Sequence, residues 1–261
     1  MNAFRGGSSH RAAQGPLPLG PPTWTVRDGT LRSPLLEARG LVAGFTTRAL
    51  GSMAGSVYPE SEQAANRDAL ALRLGFEDAV ARVRQVHGSA VVRVDRAVEP
   101  RPEADAMWTD RAGLLLGIAA ADCVPILVAD AKGRIGAAHA GWQGTMRGVV
   151  GSLMDALKGD GADMSQVVAA LGPSIGPCCY VIDESRTKML RRLGDHLRER
   201  DGAIAFDLWS ANVAQLESFG VRSIEVAGIC TKCGGRDLWS YRARDAEGRY
   251  GTQLAFLGWP R

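Results

Sequence analysis

The stretch 114–150 constrains this 261-residue chain most strongly, because it alternates apolar runs with short polar breaks. Its pattern predicts a strand that ends near Ala121, a second strand over residues 124–129, a polar turn, and a third strand that reaches His139. Cys123 lies between the first two strands. Two side chains that can bind a metal, Cys123 and His139, are therefore expected at strand ends.

The residues after His139 predict a turn that admits a ligand. The run 140–144 is too rich in glycine for a strand interior, and the apolar residues from Val149 to Leu157 are spaced like one face of a helix. Glycine lets a ligand approach the main chain, and the unpaired N–H groups of a first helical turn attract anions such as phosphate. We therefore expect an anion site just after His139.

The remaining chain mixes strand and helix patterns. His87 lies at a break between two β-branched runs, where functional side chains often project, and Asp105 lies in a predicted loop over residues 100–110. Ser61 is predicted to cap a helix that Gly75 ends. Further strands are predicted within 24–36, around a turn at 27–29, and at 41–46, 83–86, 90–94, 167–171, 221–228 and 254–257, and helices at 61–74, 184–200 and 208–218.

Composition narrows the possible partners. The net charge of +3 is spread along the chain without a long basic run, which argues against nucleic acid. The longest apolar run, 114–121, is too short to cross a membrane, and the N-terminal segment lacks the apolar core of a signal peptide. These features predict a cytoplasmic protein with no membrane partner. Five cysteines, an odd number, predict reduced thiols rather than a disulfide framework.

The domain organisation follows from one change of composition near the N-terminus. Residues 1–22 contain Gly, Ser and a Pro-Leu-Pro-Leu-Gly-Pro-Pro tract, which is typical of a flexible leader. The rest of a chain that is 46% hydrophobic can bury a substantial core. We expect one domain over residues 23–261.

Two of the four histidines are candidates for a metal site. His10 and His196 have polar surroundings that predict surface positions. With Cys123, the remaining His87 and His139 form a set of ligands suited to zinc that leaves a fourth position open. Nothing in the spacing brings the three together, and the alternative is two hydrogen-bonded histidines and a buried thiol.

Two cysteine pairs invite separate interpretations. Cys230 and Cys233 form a C-x-x-C pair, but no second pair has zinc-ribbon spacing and the context is not that of a thioredoxin. A second metal site is therefore not expected there. The adjacent Cys178 and Cys179 are interpreted as packing residues.

Six short motifs follow one another along the chain: Gln85–Gly88, Ala104–Ala106, Ala121–Pro125, His139–Trp142, Leu171–Pro177 and Ser240–Arg242. This ordered set resembles the bacterial laccase-domain family, whose members are variously called polyphenol oxidase, peptidoglycan editing factor and purine nucleoside phosphorylase. The resemblance extends from about Leu41 to the C-terminus.

The resemblance implies a single α/β domain, α+β-like, with a mixed β-sheet flanked by helices. It also implies a metal held by the residues that match the family's ligands, His87, Cys123 and His139. Zinc is favoured over copper because thiolate and imidazole suit zinc, whereas a laccase needs several copper centres and many more histidines than four.

The implied activity is phosphorolysis of purine nucleosides (adenosine, inosine, guanosine and methylthioadenosine), with adenosine deamination as a second activity. The partners would then be a small nucleoside and phosphate. Deamination would use the metal site formed with Cys123 and His139, with Asp122 or Asp105 moving the proton. Either aspartate could instead only cap a turn.

In phosphorolysis, Arg48, Arg242 and the backbone amides after His139 would hold phosphate, while Gln85 and Gln143 would engage the nucleoside. The family usually has an arginine where this chain has Gln143, so a cation is missing from the expected anion site. Arg48 and Arg242 could supply that charge through planar donor forks, and the alternative for either is a surface salt bridge.

Two further hypotheses remain open. Cys123 and His139 could be the nucleophile and base of a cysteine hydrolase that acts on a peptidoglycan-precursor-like substrate. A nucleoside-binding module without turnover is the third possibility. The metal content of the purified protein distinguishes the cysteine hydrolase from the phosphorylase, because a thiolate that coordinates a metal is a poor nucleophile. No oligomeric state is predicted.

Overall fold

The computed structural model describes residues 24–200, 202–235 and 237–260, so the predicted leader lies outside the described residues. The strands are β1 (Thr25–Arg27), β2 (Thr30–Arg32), β3 (Val42–Thr46), β4 (Val91–Arg93), β5 (Ala106–Thr109), β6 (Leu115–Ala120), β7 (Val124–Ala129), β8 (Ile135–Ala140), β9 (Val168–Leu171), β10 (Val181–Ile182), β11 (Leu197–Arg200), β12 (Ala203–Phe206), β13 (Ser223–Val226) and β14 (Gln253–Gly258). The α-helices are α1 (Pro34–Glu37), α2 (Glu60–Arg73), α3 (Trp142–Arg147), α4 (Val149–Gly159), α5 (Glu184–Met189) and α6 (Leu208–Ser218).

The strands form three sheets. The first has the order β1-β2-β3-β14-β6 and is antiparallel throughout. The second, of order β13-β9-β7-β8-β5-β4, is mixed, because its two edge pairs are parallel and its inner pairs are antiparallel. A small sheet, β10-β12-β11, completes the fold. The α/β class with mixed pairing is confirmed, although one sheet was expected and three are found.

The two large sheets pack face to face, and helices cover their outer faces. Leu127 on β7 packs between the sheets with Phe45 and Leu257 of the first sheet. Its neighbour Ile126 points the other way, into a cluster with residues of α4 and α6, as the period of two in a strand requires. Helix α2 covers the far side of the first sheet through Leu70. The result is a four-layer arrangement.

The register of the mixed sheet brings Asp105, Cys123 and His139 to one end. Strand β8 pairs antiparallel with both β5 and β7, so its last residues lie beside the first residues of those strands. Asp105 directly precedes β5, Cys123 directly precedes β7, and His139 is the penultimate residue of β8. Because their offsets along the strands match, their side chains point to the same face. The predicted position of two metal-capable side chains at strand ends is confirmed.

Several predicted elements occur where the pattern placed them. Strand β7 and helix α6 have the predicted bounds, and β3, β6, β8, β9, β13 and β14 differ from them only at their ends. Gly75, with φ of 84°, follows the last turn of α2 as expected for a helix stop.

Other predictions are wrong, each for a local reason. The helix expected over 184–200 ends as α5 at Met189, because the segment beyond it pairs as β11 with β12 and tertiary pairing overrides helix propensity. Ser61 does not cap α2, which begins one residue earlier after Pro59. The loop expected over 100–110 contains β5. Residues 83–86 form only an isolated bridge through Arg84.

The helical pattern after His139 belongs to two helices rather than one. Helix α3 begins at Trp142 and ends at Arg147, and the left-handed backbone of Gly148 starts α4 in a new direction. The start of the longer helix therefore does not follow His139 directly. None of the helices in the described part of the chain is long and apolar enough to cross a membrane.

Candidate metal centre

Three side chains predicted as ligands converge at the end of the mixed sheet. The ligand atoms of His87, Cys123 and His139 all lie within 4.8 Å of one another. The Cys123 Sγ is 4.0 Å from the His87 Nε2, and the two imidazole rings meet edge to face. Ligands about 2.0–2.3 Å from one zinc ion are separated by about 3.3–3.8 Å. Small shifts would therefore bring the three atoms to the spacing that one bound divalent ion requires.

Unusual backbone conformations position two of these ligands. His87 has φ of 58°, and Asp122, directly before Cys123, has φ of 84°. Residues other than glycine rarely adopt such positive values. Gly141 clears the space between the ligands: a Cβ there would lie 2.7 Å from the Cys123 Sγ and 3.3 Å from the His87 Cδ2. The glycine of the His-Ala-Gly-Trp motif is thus required by the sulfur beside it.

Asp105 anchors the site from behind. Its fully buried carboxylate accepts hydrogen bonds from the backbone N–H groups of Val86, His87 and Gly88. It also lies 2.9 Å from the His139 Nδ1, an arrangement that directs the other ring nitrogen toward the centre. Burial raises the pKa of Asp105, but His139 and the N–H donors outweigh burial and lower the pKa to about 2. The carboxylate is therefore ionised at neutral pH.

Without a metal, Cys123 and His139 form a charge pair. Burial raises the pKa of the Cys123 thiol, but His139 outweighs it and lowers the pKa to about 6. Burial conversely lowers the pKa of His139, and the Cys123 thiolate and Asp105 outweigh it and raise the pKa. The site thus stabilises a thiolate, which is the form that binds metals and attacks electrophiles.

Asp122 has both carboxylate oxygens occupied by the fold. The Thr231 hydroxyl donates to one oxygen at 2.6 Å, and the backbone N–H of Arg242 donates to the other at 2.7 Å. These contacts tie the segment before Cys123 to the C-terminal loops. The fold engages the carboxylates of both Asp122 and Asp105, which favours a positioning role for each, the alternative to the proton transfer expected from the sequence.

The centre opens into a cavity of about 580 Å³, a size suited to a small organic ligand. The lining combines aromatic rings with cations. Its aromatic residues are Trp142, Tyr180, Tyr241 and Tyr250, and its arginines are Arg84, Arg101, Arg186 and Arg242.

The residues predicted to bind substrate are placed differently from one another. Gln143 and Arg242 line the cavity. Gln85 also lines it, but its amide makes two hydrogen bonds with the main chain of Ala119, so Gln85 holds the end of β6 rather than offering a free amide. Arg48 stacks its guanidinium 4.0 Å from the centre of the Trp239 ring, outside the described cavity lining.

Sequence reasoning missed Trp142, Tyr180 and Arg186. Trp142 lies within the His-Ala-Gly-Trp motif, and Tyr180 lies just after the segment rich in glycine and proline. Their positions beside turns that carry ligands could have indicated that they line the site. Arg186, whose guanidinium lies over the Trp142 ring at 5.3 Å, carried no signal because it sits in an ordinary helical pattern.

The family model described as multi-copper polyphenol oxidoreductase laccase matches residues 43–259. The chain belongs to this family. The matched range covers all residues of the centre described above and both large sheets, apart from β1, β2 and the first residue of β3. The resemblance inferred from the six motifs is confirmed.

Relatives within the family carry a common name. The chain is 41% identical over 244 residues to a protein named purine nucleoside phosphorylase from Deinococcus radiodurans, a match that covers 87% of this chain and 94% of that protein. It is 34% identical over 260 residues to purine nucleoside phosphorylase YlmD from Geobacillus stearothermophilus, covering 88% and 94%. The crystal structure of that YlmD superposes with a TM-score of 0.84 at 32% identity over 92% of this chain and 100% of that one.

Proposed function

We propose that this protein is a metal-dependent purine nucleoside phosphorylase that cleaves adenosine, inosine, guanosine and methylthioadenosine, with adenosine deamination as a second activity at the same site. The observation that carries the proposal is the His87–Cys123–His139 centre at a cavity lined with aromatic rings and arginines. Aromatic rings suit a purine and arginines suit phosphate. The names of the family relatives agree with this pairing of ligands.

We assign zinc as the metal, with copper as the alternative. One thiolate and two imidazoles leave a fourth tetrahedral position for substrate or water, as in catalytic zinc sites. The chain has four histidines, too few for the several copper centres of a laccase. A bound zinc ion would supply a Lewis acid that stabilises negative charge as it develops on the substrate.

The residues of the chain have distinct roles in this proposal. Arg242 holds phosphate, since its guanidinium lies in the cavity wall beside the Tyr180 ring. Arg186 is a second cation in the cavity lining, and it compensates for the arginine that Gln143 replaces. Burial raises the pKa of Tyr180 to about 12, so this phenol stays neutral and offers a hydrogen-bond donor to the purine.

The direct test is the phosphate dependence of nucleoside cleavage. Inosine and inorganic phosphate should yield hypoxanthine and ribose 1-phosphate in equal amounts, and adenosine without phosphate should yield inosine and ammonia. Arg242→Ala should raise the Michaelis constant for phosphate by about tenfold or more, because it removes a charge-assisted contact. Arg249→Ala is the matched control, because Arg249 is exposed nearby and pairs with Asp245. Equal effects of the two substitutions would remove Arg242 from the phosphate site.

The cysteine-hydrolase alternative has its own supporting observation. Cys123, His139 and Asp105 are arranged as nucleophile, base and orienting carboxylate, and the metal-free thiol has a lowered pKa. This alternative expects activity on an amide or ester that survives complete removal of metal and that iodoacetamide abolishes. The third candidate, a binding module, expects nucleoside binding with no product under either condition.

A further inference from the structure

Four cysteines outside the candidate centre form a second cluster. Cys178 and Cys179 meet Cys230 and Cys233, and all four Sγ atoms lie within 4.8 Å of one another. The described cysteines are free thiols, and the Sγ atoms of Cys178 and Cys233 are 3.4 Å apart, well beyond the bonded distance of about 2.05 Å in a disulfide. The sequence offered no second cysteine pair for Cys230 and Cys233 at zinc-ribbon spacing. In the structure that second pair is Cys178 and Cys179, more than fifty residues earlier in the chain.

We propose that these four cysteines bind a structural zinc ion, separate from the His87–Cys123–His139 centre. Tetrahedral zinc with Zn–S bonds of about 2.3 Å sets its sulfur atoms about 3.8 Å apart, so the cluster needs only small shifts to close around an ion. A set of four thiolates is typical of structural rather than catalytic zinc, because it leaves no open position. The proposal does not rest on the reaction proposed above.

The backbone around Cys230 is arranged for a thiolate. Backbone N–H groups of Gly176, Lys232 and Cys233 donate hydrogen bonds to the Cys230 sulfur. Gly234 closes the turn by donating to the Cys230 carbonyl, and a Cβ at Gly234 would lie 2.5 Å from that oxygen. A buried thiol kept only for packing would need no such donors, whereas a metal-bound thiolate uses them.

The two cysteine segments are already held together by the main chain. Ser174 donates to the Ile229 carbonyl and accepts from the Thr231 N–H, which forms a bridge directly beside the cluster. Cys230 is buried, while Cys178 and Cys233 are exposed. The cluster is therefore preorganised on its inner side and open to an incoming ion on its outer side.

The cluster is linked to the cavity through Thr231, which lies between its two C-x-x-C cysteines and donates to Asp122. The segment from β13 to β14 has little regular structure, yet it supplies Tyr241, Arg242 and Tyr250 to the cavity wall. Long irregular segments inside a compact fold need an anchor. We assign that function to the bound zinc, which would hold Arg242 in place without touching substrate.

Metal analysis of single and combined variants tests this inference. Chain purified under reducing conditions without chelator should contain two zinc ions. His139→Ala should lower the content by the ion of the first centre, and Cys178→Ser with Cys233→Ser should lower it by the other. In the His139→Ala background, cobalt should give the intense charge-transfer absorption of a tetrathiolate site. Both substituted cysteines are exposed, so the core should still form, which circular dichroism checks.

The failure of this inference is distinguishable from the failure of the proposed function. If His139→Ala leaves the zinc content unchanged while the double cysteine variant lowers it, the second site stands and the first is wrong. Unchanged zinc content in the double cysteine variant would overturn the second site. Bound iron with sulfide would also overturn it. So would a disulfide, which would appear as three rather than five reactive thiols when the unsubstituted chain is unfolded without a reducing agent.

Discussion

At the scale of single residues, the candidate metal centre depends on Gly141, whose lack of a side chain leaves room for the ligands. Gly141→Ala should abolish metal binding, because the added methyl would lie 2.7 Å from the Cys123 Sγ and displace that ligand. Overall folding should persist, since Gly141 has an ordinary φ of −73°. Zinc content and thermal unfolding are the measurements. Gly159→Ala is the matched control, because a methyl added there would meet no atom within 4 Å. Full zinc content in Gly141→Ala would contradict the assigned geometry.

Asp105→Asn should weaken metal binding by about 10- to 100-fold, as loss of a carboxylate that orients a ligating histidine generally does. The amide NH₂ of the new asparagine would also lose hydrogen bonds, because it would point at hydrogen-bond donors. These donors are the backbone N–H groups of residues 86–88 and the His139 ring. Competition with a calibrated chelator measures the affinity. Asp95→Asn, a substitution at an exposed carboxylate, is the control and should leave the affinity unchanged.

The same carboxylate predicts a pH dependence. The pKa of Asp105 is lowered to about 2 in the folded chain, and an unfolded aspartate has a pKa of about 3.9. Stability from the ionised group is therefore fully present above about pH 4 and is lost as the pH falls toward about 2. The difference in free energy of unfolding between native chain and Asp105→Asn should narrow over that range in urea denaturation. A constant difference would show that Asp105 is not the group responsible.

Gln143 offers a gain rather than a loss. Gln143→Arg places a cation in the first turn of α3, in the lining of the cavity to which Arg242 also contributes. A charge-assisted contact with phosphate contributes about 1.5–3 kcal/mol, so the Michaelis constant for phosphate should fall by roughly tenfold or more. The constant for the nucleoside and the rate of deamination serve as internal controls. An unchanged phosphate dependence would locate the anion away from Gln143.

At the scale of elements, β14 joins two of the hydrophobic clusters. Its residues alternate between the inter-sheet core and the cluster beneath α2, and Phe256 is fully buried in the latter. Phe256→Ala should lower the free energy of unfolding by about 3–5 kcal/mol through lost burial and the cavity left behind. Leu72→Ala on α2 is the control, since Leu72 is 75% exposed and its loss should cost under about 0.5 kcal/mol. Chemical denaturation measures both, and a similar small effect would contradict the assigned core.

The elements also show where sequence patterns succeed. Strand β7 could be predicted because it is a continuous apolar run between Asp122 and Asp130, and helix α6 because Asp207 caps its start. The segment 184–200 could not be predicted, since its last four residues pair with β12 as strand β11. Local periodicity carries no information about such a partner.

At the scale of the whole molecule, both metal-capable clusters depend on contacts between distant segments. His87, Cys123 and His139 were identifiable from residue type and strand ends. The antiparallel register of β5, β7 and β8 brings Cys123 and His139 together, and the backbone N–H of His87 is held by Asp105 at the same strand ends. The four-cysteine cluster was missed because its pairs come from two loops far apart in the sequence, which contacts such as the bridge from Ser174 to Cys230 bring together. Residue spacing can indicate a site whose residues lie in one segment, but it carries no information about a site formed by two distant segments.

The central claim is that a metal held by His87, Cys123 and His139 supports phosphorolysis. The most direct measurement is inosine cleavage by the native chain before metal removal, after exhaustive chelation, and after zinc is restored, with His87→Ala and His139→Ala assayed in parallel. We expect phosphate-dependent cleavage that is lost with the metal, returns with zinc, and stays absent in both variants although they remain folded. Undiminished cleavage by the metal-free chain, or by either folded variant, would contradict the claim.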